Sequence, residues 1–99
     1  MKYSTTWQAP ADHPVYAGHF PDAPIVPGVM LLDAVLHAIN GEAGFKTCTI
    51  RTVKFLSPAK PGESLLIQHE AGPDGTVQFE IACGARKIAM GAIAPGASA

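Results

Sequence analysis

Residues 17–34 read AGHFPDAPIVPGVMLLDA, and this stretch leads from a proline-rich segment into an apolar one. Proline fixes φ, so three prolines within seven residues hold the chain in one extended path. From Gly28 onward, GVMLLDAVLHAI has the length and composition of a helix, and Asn40-Gly41 supplies a stop signal. The sequence therefore predicts one central helix over about residues 28–40, apolar around most of its circumference and buried by other elements.

The segments outside this helix alternate with a period of two. YSTTWQA before it, and FKTCTIRTVKFL, LLIQHEA, VQFEIAC and KIAMGAIA after it, have the composition of strands, with turns at SPAKPGES and GPDGT. His69, within LLIQHEA, is expected on the solvent face. One helix packed across a meander of antiparallel strands is an α+β fold. We predict a single domain over residues 1–94 and a flexible tail over 95–99.

Composition restricts the classes of function. Apolar residues make up 47% of the 99 residues and charged residues only 15%, so few charges cover the surface and an oligomer is favoured. A net charge of −1 argues against a nucleic-acid partner. Asp33 interrupts the longest apolar run and the first residues lack a signal sequence, so we expect a cytoplasmic protein without a membrane span. Cys48 and Cys83 lack CxxC spacing, and the histidines show no metal-ligand spacing.

Three residues in the opening stretch carry possible chemistry. A histidine such as His19 exchanges protons near neutral pH, although lone loop histidines are more often structural. Gly28 opens a helix, where free N–H groups stabilise an oxygen that gains negative charge, or it merely starts the helix. Asp33, among apolar neighbours, must be hydrogen-bonded, face an opening or take up a proton. Alternatively, Asp33, His37 and Asn40 form a polar stripe that faces solvent.

The motif GHFPDAPIVPGVMLLDA closely resembles the active-site signature of bacterial β-hydroxyacyl-[acyl carrier protein] dehydratases, the hotdog-fold enzymes of fatty-acid synthesis. It has a His-Phe-Pro, a Pro-Gly after two hydrophobic residues, and an acid 14 residues after the histidine. The segment VKFLSPAKPGESL is similar to the family's second recurring segment. The resemblance runs from about His13 to Ala94 and implies a hotdog fold, in which an antiparallel sheet wraps around one central helix.

The resemblance also implies a role for individual residues. His19 matches the base that takes the α-proton, and Asp33 matches the acid that assists loss of the β-hydroxyl as water. One branch of the family has Glu at the acid position, and the branch that also isomerises the double bond has Asp. Gly28 matches the glycine whose N–H holds the thioester carbonyl, and the backbone carbonyl of Ile25 orients the histidine ring. Candidate pocket residues are Phe20, Pro27 and His37.

The implied function is a hydro-lyase: dehydration of a β-hydroxyacyl thioester on acyl carrier protein to the trans-2-enoyl thioester, without a cofactor or metal. The implied assembly is a homodimer with shared active sites, or a trimer of dimers. Two alternatives are a hotdog acyl-thioesterase and a non-catalytic acyl-binding subunit that pairs with a longer partner. Only 18 residues precede His19, and His37 stands where the family usually has Gln, which predicts a differently lined pocket. Aryl polyene or polyketide assembly therefore stands beside fatty-acid synthesis as the pathway.

Overall fold

The computed structural model describes residues 2–14, 25–43 and 48–95, which form one helix and five strands. The helix, α1, spans Gly28–Ala43. The strands in chain order are β1 (Lys2–Gln8), β2 (Cys48–Phe55), β3 (Ser64–Ala71), β4 (Val77–Cys83) and β5 (Arg86–Pro95). The predicted α+β architecture is confirmed. Strand β5 includes Pro95, one residue beyond the predicted end of the domain.

The five strands form one antiparallel sheet in the order β1-β3-β4-β5-β2. Strands β3 and β4 are joined by the predicted Asp-Gly turn, where Gly75 has a φ of 86°. The carboxylate of Asp74 closes this turn by accepting a hydrogen bond from the Thr76 N–H at 3.0 Å. Because positive φ is strained for residues with a Cβ, glycine at this position fits the sharp reversal.

The core lies between one face of the sheet and one side of α1. Leu31, Val35 and Ile39 follow each other at intervals of four residues along the helix, and each is at most 3% exposed. The alternating strands supply the other half of the core, with Leu65 and Ile67 of β3 almost fully buried. Burial of each such side chain contributes about 1.5–3 kcal/mol to the stability of the fold. The buried row on the helix therefore fixes the rotation of α1 about its axis.

The helix differs from its prediction in two respects. It continues three residues past residue 40, because a Gly inside a helix costs only about 1 kcal/mol and Asn40-Gly41 need not end it. The expectation that it is buried on nearly all sides is wrong for the single chain: Val29 is 77% exposed. The side chains of Asp33 and His37 also point outward. The reason is that the helix packs against the sheet through one side only.

The prediction that His69 faces solvent is wrong. In β3, Leu65, Ile67 and His69 share the inward face because side chains alternate along a strand, and His69 is only 3% exposed. Its ring stacks on Tyr3 of β1, with ring centroids 5.4 Å apart. The polar residues next to His69 in the sequence suggested an exposed position, but the alternation of side chains along β3 places His69 inside.

The described ranges contain no helix whose length and hydropathy suit a bilayer crossing. Within the same ranges, no group of three or more His, Cys, Asp and Glu side chains is arranged to hold a metal ion.

Gly91 lies where β5 passes close to both of its neighbours, β2 and β4. A Cβ at this position would collide with the carbonyl oxygen of Thr52 and lie 2.8 Å from the ring of Phe79. The register between β2 and β5 shifts between Ile50 and Thr52, so the close approach coincides with a bulge in the edge strand.

We therefore expect Gly91→Ala to lower the free energy of unfolding by about 2–3 kcal/mol or more, since backbone atoms must move to admit the methyl group. Gly72→Ala is the matched control, because a Cβ there meets its nearest atoms at an ordinary 3.5 Å. Urea denaturation of both variants measures the difference. Equal stability of the two variants would contradict the close approach.

Candidate active site

The predicted site residues fall into three groups in the structure. His19 and Phe20 lie outside the described residues, so their predicted roles stay predictions. Ile25, Pro27 and Gly28 surround the start of α1, and Asp33 and His37 lie about one and a half and two and a half turns further along the helix. The described residues of the site therefore lie on the helix or in the three residues that lead into it.

The start of α1 is anchored to the loop that follows β2. The N–H of Val26 donates to the carbonyl of Ala59 at 2.8 Å, and the carbonyl of Pro27 accepts the N–H groups of Met30 at 3.0 Å and Leu31 at 3.3 Å. The N–H groups of Gly28 and Val29 precede these first intrahelical donors. They lie at the positive end of the helix dipole, where an anionic oxygen is stabilised.

A cavity of about 380 Å³ opens at this helix start. We call it the Gly28 cavity; its described walls are Ile25, Val26, Gly28 and Leu31 on the helix side and residues 55–59 on the strand side. The ring of Phe55 lies so close to Gly28 that a Cβ on Gly28 would be 2.8 Å from its Cζ atom. Phe55 and Leu56 are each about half exposed despite being apolar. An aromatic ring therefore covers one side of the helix start.

The contact between Gly28 and Phe55 predicts a specific rescue. Gly28→Ala should push the Phe55 ring aside, and because this ring is half exposed and free to turn toward solvent, the loss of stability should be at most about 1 kcal/mol, the low end of overpacking costs. Removing the ring should remove the clash, so Gly28→Ala combined with Phe55→Ala should be less destabilised than the sum of the single variants. Thermal denaturation of the three variants tests this, with Leu56→Ala paired with Gly28→Ala as the control. Strict additivity in the Phe55 cycle would show that the ring does not cause the requirement for glycine.

The loop that walls the Gly28 cavity is held by Glu63. Its carboxylate accepts the Lys60 N–H at 2.7 Å and the Arg86 guanidinium at 2.7 Å, and the Cys83 thiol donates to it at 3.5 Å. The Lys60 N–H, more than any other group, lowers the pKa of Glu63; partial burial opposes the shift, and Arg86 and Cys83 reinforce it. Burial, followed by the Glu63 carboxylate, raises the pKa of Cys83, so this free cysteine remains a thiol near neutral pH.

A lowered pKa in the folded protein means that ionised Glu63 stabilises the fold above the ordinary pKa of 4.5, and that this stabilisation is lost as the pH falls through and below that value. Glu63→Gln should therefore lower the denaturation midpoint at neutral pH and approach wild-type stability in acid. Glu80→Gln, which removes only a more distant partner of Lys87 at 3.6 Å, is the control. A Glu63→Gln deficit that stays constant with pH would contradict the role of the charge.

A second cavity, of about 460 Å³, lies between α1 and β1. We call it the α1–β1 groove; its described lining residues are Thr5, Trp7, Met30, Asp33, Ala34, His37, Ala38 and Ile67. A side-chain nitrogen of His37 lies 3.5 Å from a carboxylate oxygen of Asp33, and these side chains are 80% and 71% exposed. A pair so exposed adds little stability. Asp33 and His37 therefore both point outward, and Asp33 also faces an opening, as two of the alternatives from the sequence expected. The side chain of Asn40, the third residue of the predicted stripe, lies outside the described part of the structure.

The structure brings Asp33 together with His37, but it separates both from Gly28. The helix rises about 1.5 Å per residue, so Asp33 lies about 7.5 Å further along the axis than Gly28, and the two residues line different cavities. Sequence reasoning missed Phe55 and Trp7 as site neighbours. The alternation of β1 places Trp7 on the same face as Thr5, and Phe55 lies in VKFLSPAKPGESL, which resembles the family's second recurring segment. Neither signal predicts the contact itself, because that contact depends on how the strands meet the helix.

Comparison with known proteins agrees with this architecture. The model of the ApeI-like family, described as ApeI dehydratase, matches residues 1–92. The 3-hydroxyacyl-[acyl-carrier-protein] dehydratase FabZ of Chlamydia muridarum is 34% identical over 70 residues, which cover 60% of this chain and 46% of the relative. The chain thus spans about half the length of the curated relatives it matches.

Solved structures extend the comparison to nearly the whole chain. A chain of the dehydratase heterocomplex ApeI:P from Xenorhabdus doucetiae matches with a TM-score of 0.80 and 25% identity, over 94% of this chain and 85% of that one. The fluoroacetyl-CoA thioesterase FlK matches with a TM-score of 0.72 and 13% identity, over 94% and 82% of the two chains, and so shares the fold alone. The architecture is the hotdog fold that the resemblance implied. The chain belongs to the ApeI-like dehydratase family.

Proposed function

We propose that this protein dehydrates a β-hydroxyacyl thioester carried on acyl carrier protein to the trans-2-enoyl thioester. The observation that supports this most directly is the position of Asp33. In a chain of a dehydratase family, a carboxylate on the central helix faces an apolar groove instead of the packed core. A carboxylic acid that borders an apolar substrate site can protonate a leaving hydroxyl.

The proposed reaction needs three groups and no cofactor. His19 removes the α-proton, and the electron pair of that C–H bond becomes the new carbon–carbon double bond. The β-carbon–oxygen bond breaks, and Asp33 gives its proton to the departing hydroxyl, which leaves as water. The N–H of Gly28 hydrogen-bonds the thioester carbonyl and stabilises the negative charge that develops there, an effect that helix N-termini supply. Ile25 would orient the His19 ring through its backbone carbonyl.

The separation of Gly28 from Asp33 supports a site shared between two subunits. Each residue lines its own cavity within one chain, so a second subunit can bring the acid of one chain to the base and N–H of the other. Strand β2 pairs with β5 alone among the described strands, which leaves it as a sheet edge. Large apolar side chains, Ile50 and Phe55 on β2 and Leu56 next to it, are exposed around this edge. We propose a homodimer through this surface.

The similarity to a chain of a heterocomplex favours a second assembly, in which the partner is a different dehydratase chain. Sedimentation of the protein alone, together with its activity, distinguishes these assemblies: a homodimer is active without a partner. A carrier protein is acidic, and exposed cations could complement its charge: Arg51, Lys54, Lys60, Arg86 and Lys87. A cytoplasmic location stays a prediction.

We expect the purified protein to convert a β-hydroxyacyl carrier-protein thioester to the enoyl product, followed by mass spectrometry. His19→Ala and Asp33→Asn should each lower the rate by about 100-fold to 10,000-fold, because each removes a proton-transfer group. Asp12→Asn, a change of the same kind at an exposed residue outside the site, should leave the rate unchanged.

The same assay separates dehydration from thioester hydrolysis, the reaction named for one structural neighbour. Dehydration leaves the acyl group on its thiol, whereas hydrolysis releases a free thiol that a colorimetric reagent detects. Thiol release without enoyl product, or full dehydration by the Asp33→Asn variant, would refute the proposed function.

A further inference from the structure

Resting on the proposed function, we infer that Glu63 positions the N–H of Gly28 for the thioester carbonyl. It acts through the peptide unit that joins Ala59 and Lys60. Glu63 lies in the loop between β2 and β3, outside the described lining of both the Gly28 cavity and the α1–β1 groove. It is therefore a positioning residue, which affects the reaction through its neighbours, and not a catalytic one.

One peptide unit connects Glu63 to the segment that precedes the helix. The N–H of Lys60 donates to a carboxylate oxygen of Glu63 at 2.7 Å. The carbonyl of Ala59 belongs to the same peptide unit and accepts the N–H of Val26 at 2.8 Å. Because a peptide unit is planar and rigid, a shift of its N–H moves its carbonyl as well. The position of Val26 therefore depends on the hydrogen bond that Glu63 accepts.

Arg86, at the start of β5, holds the same loop from the other side. Its guanidinium donates at 2.7 Å to the same oxygen of Glu63 that accepts the Lys60 N–H. It also reaches the carbonyl of Pro58 at 3.5 Å, so the peptide units on both sides of Ala59 are held. Hydrogen bonds to a charged group are about twice as strong as neutral ones. The side chain of Glu63 is 22% exposed, so water competes with these bonds only in part.

The connection from Val26 to Gly28 leaves the chain little freedom. Val26 is 3% exposed and Ala59 is fully buried, so the hydrogen bond between them is shielded from water. Only Pro27 separates Val26 from Gly28, and proline fixes φ. The N–H of Gly28 precedes the first intrahelical donors, so its direction follows from the segment before it. A donor that stabilises developing charge must point at the reacting oxygen, and loss of one such donor lowers kcat by about 100-fold to 1,000-fold.

Stability and positioning place different demands on residue 63. The ion pair with Arg86 requires a charge, whereas the Lys60 N–H requires only an acceptor oxygen. Glu63→Gln removes the charge and keeps an acceptor oxygen within reach of that N–H. Glu63→Met keeps a side chain of similar length and has no oxygen. These two variants of similar size therefore separate the two roles.

The first experiment measures dehydration by both variants at a temperature where each is folded. Glu63→Met should lower kcat by about ten-fold or more and leave KM within about two-fold, because the lost interaction acts mainly in the transition state. Glu63→Gln should keep kcat within about three-fold, although its stability at neutral pH is lower. Glu80→Met is the control, since Glu80 pairs with Lys87 on the strands and should leave both constants unchanged. Glu63→Ala serves if Glu63→Met does not fold.

A second experiment tests whether Glu63 acts through the Gly28 N–H. Proline is well accepted at the first position of a helix, so Gly28→Pro removes this N–H without breaking an intrahelical hydrogen bond. Gly28→Ala adds a Cβ but keeps the N–H, and is the matched control. Adding Glu63→Met should lower kcat by about ten-fold in the Gly28→Ala protein and by less than about two-fold in the Gly28→Pro protein. Equal losses in both proteins would overturn the inference.

Hydrogen exchange at the Val26 amide measures the connection without any turnover. Its rate is compared with that of the Ile81 amide in β4, which corrects for a change in global stability. Relative to Ile81, the Val26 amide should exchange about ten-fold faster in Glu63→Met than in the wild type. Glu63→Gln should retain the wild-type ratio, because it keeps the acceptor for the Lys60 N–H.

The outcomes separate this inference from the proposed function. A wild-type protein that dehydrates no β-hydroxyacyl thioester refutes the function, and the exchange of Val26 then tests the connection by itself. Faster exchange in Glu63→Met alone supports the connection, and equal exchange in all three proteins overturns it. In an active protein, a wild-type kcat for Glu63→Met overturns the positioning role. An equal loss of kcat in Glu63→Gln and Glu63→Met also overturns it, because the loss then follows the charge instead of the hydrogen bond.

Discussion

One row of apolar side chains on α1 packs against the sheet, and this packing determines where the described functional groups of the helix lie. Leu31, Val35 and Ile39 are held against the inward face of the sheet, which fixes the rotation of α1. A step of two residues turns a helix by about 200°, so Asp33, between Leu31 and Val35, must point away from the core. The outward carboxylate is therefore a consequence of hydrophobic burial, and it lines the groove between α1 and β1.

The two ends of the site are built by different means. At the start of α1, a proline, a glycine and the hydrogen bond from Val26 to Ala59 set the direction of the helix, and the Phe55 ring covers its first turn. Further along, the α1–β1 groove is lined by residues of α1, β1 and β3. Backbone geometry thus controls the position proposed for the thioester carbonyl, and the packing of the helix against the sheet controls the position of Asp33.

The loop after β2 connects these parts to the rest of the sheet. The Glu63 carboxylate accepts hydrogen bonds from the Lys60 N–H, the Cys83 thiol and the Arg86 guanidinium. These bonds connect the wall of the Gly28 cavity to β4 and β5. A small domain with few charged residues thus uses one of its eight acids to hold a loop. Large apolar side chains remain exposed around β2, the edge strand that follows α1 in the chain.

Much of this protein follows from its sequence, because local patterns carry enough information. The Pro27-Gly28 pair predicted where the helix begins, the alternation with a period of two predicted the strands, and Asp74-Gly75 predicted a turn. Each of these features depends on the backbone preferences of a few neighbouring residues.

Tertiary structure decided the rest. The burial of His69, the exposure of Asp33, the contact of Phe55 with Gly28 and the place of Trp7 in a groove all depend on which face of one element meets another. That choice is made by the burial of the whole core, which no short stretch of sequence contains.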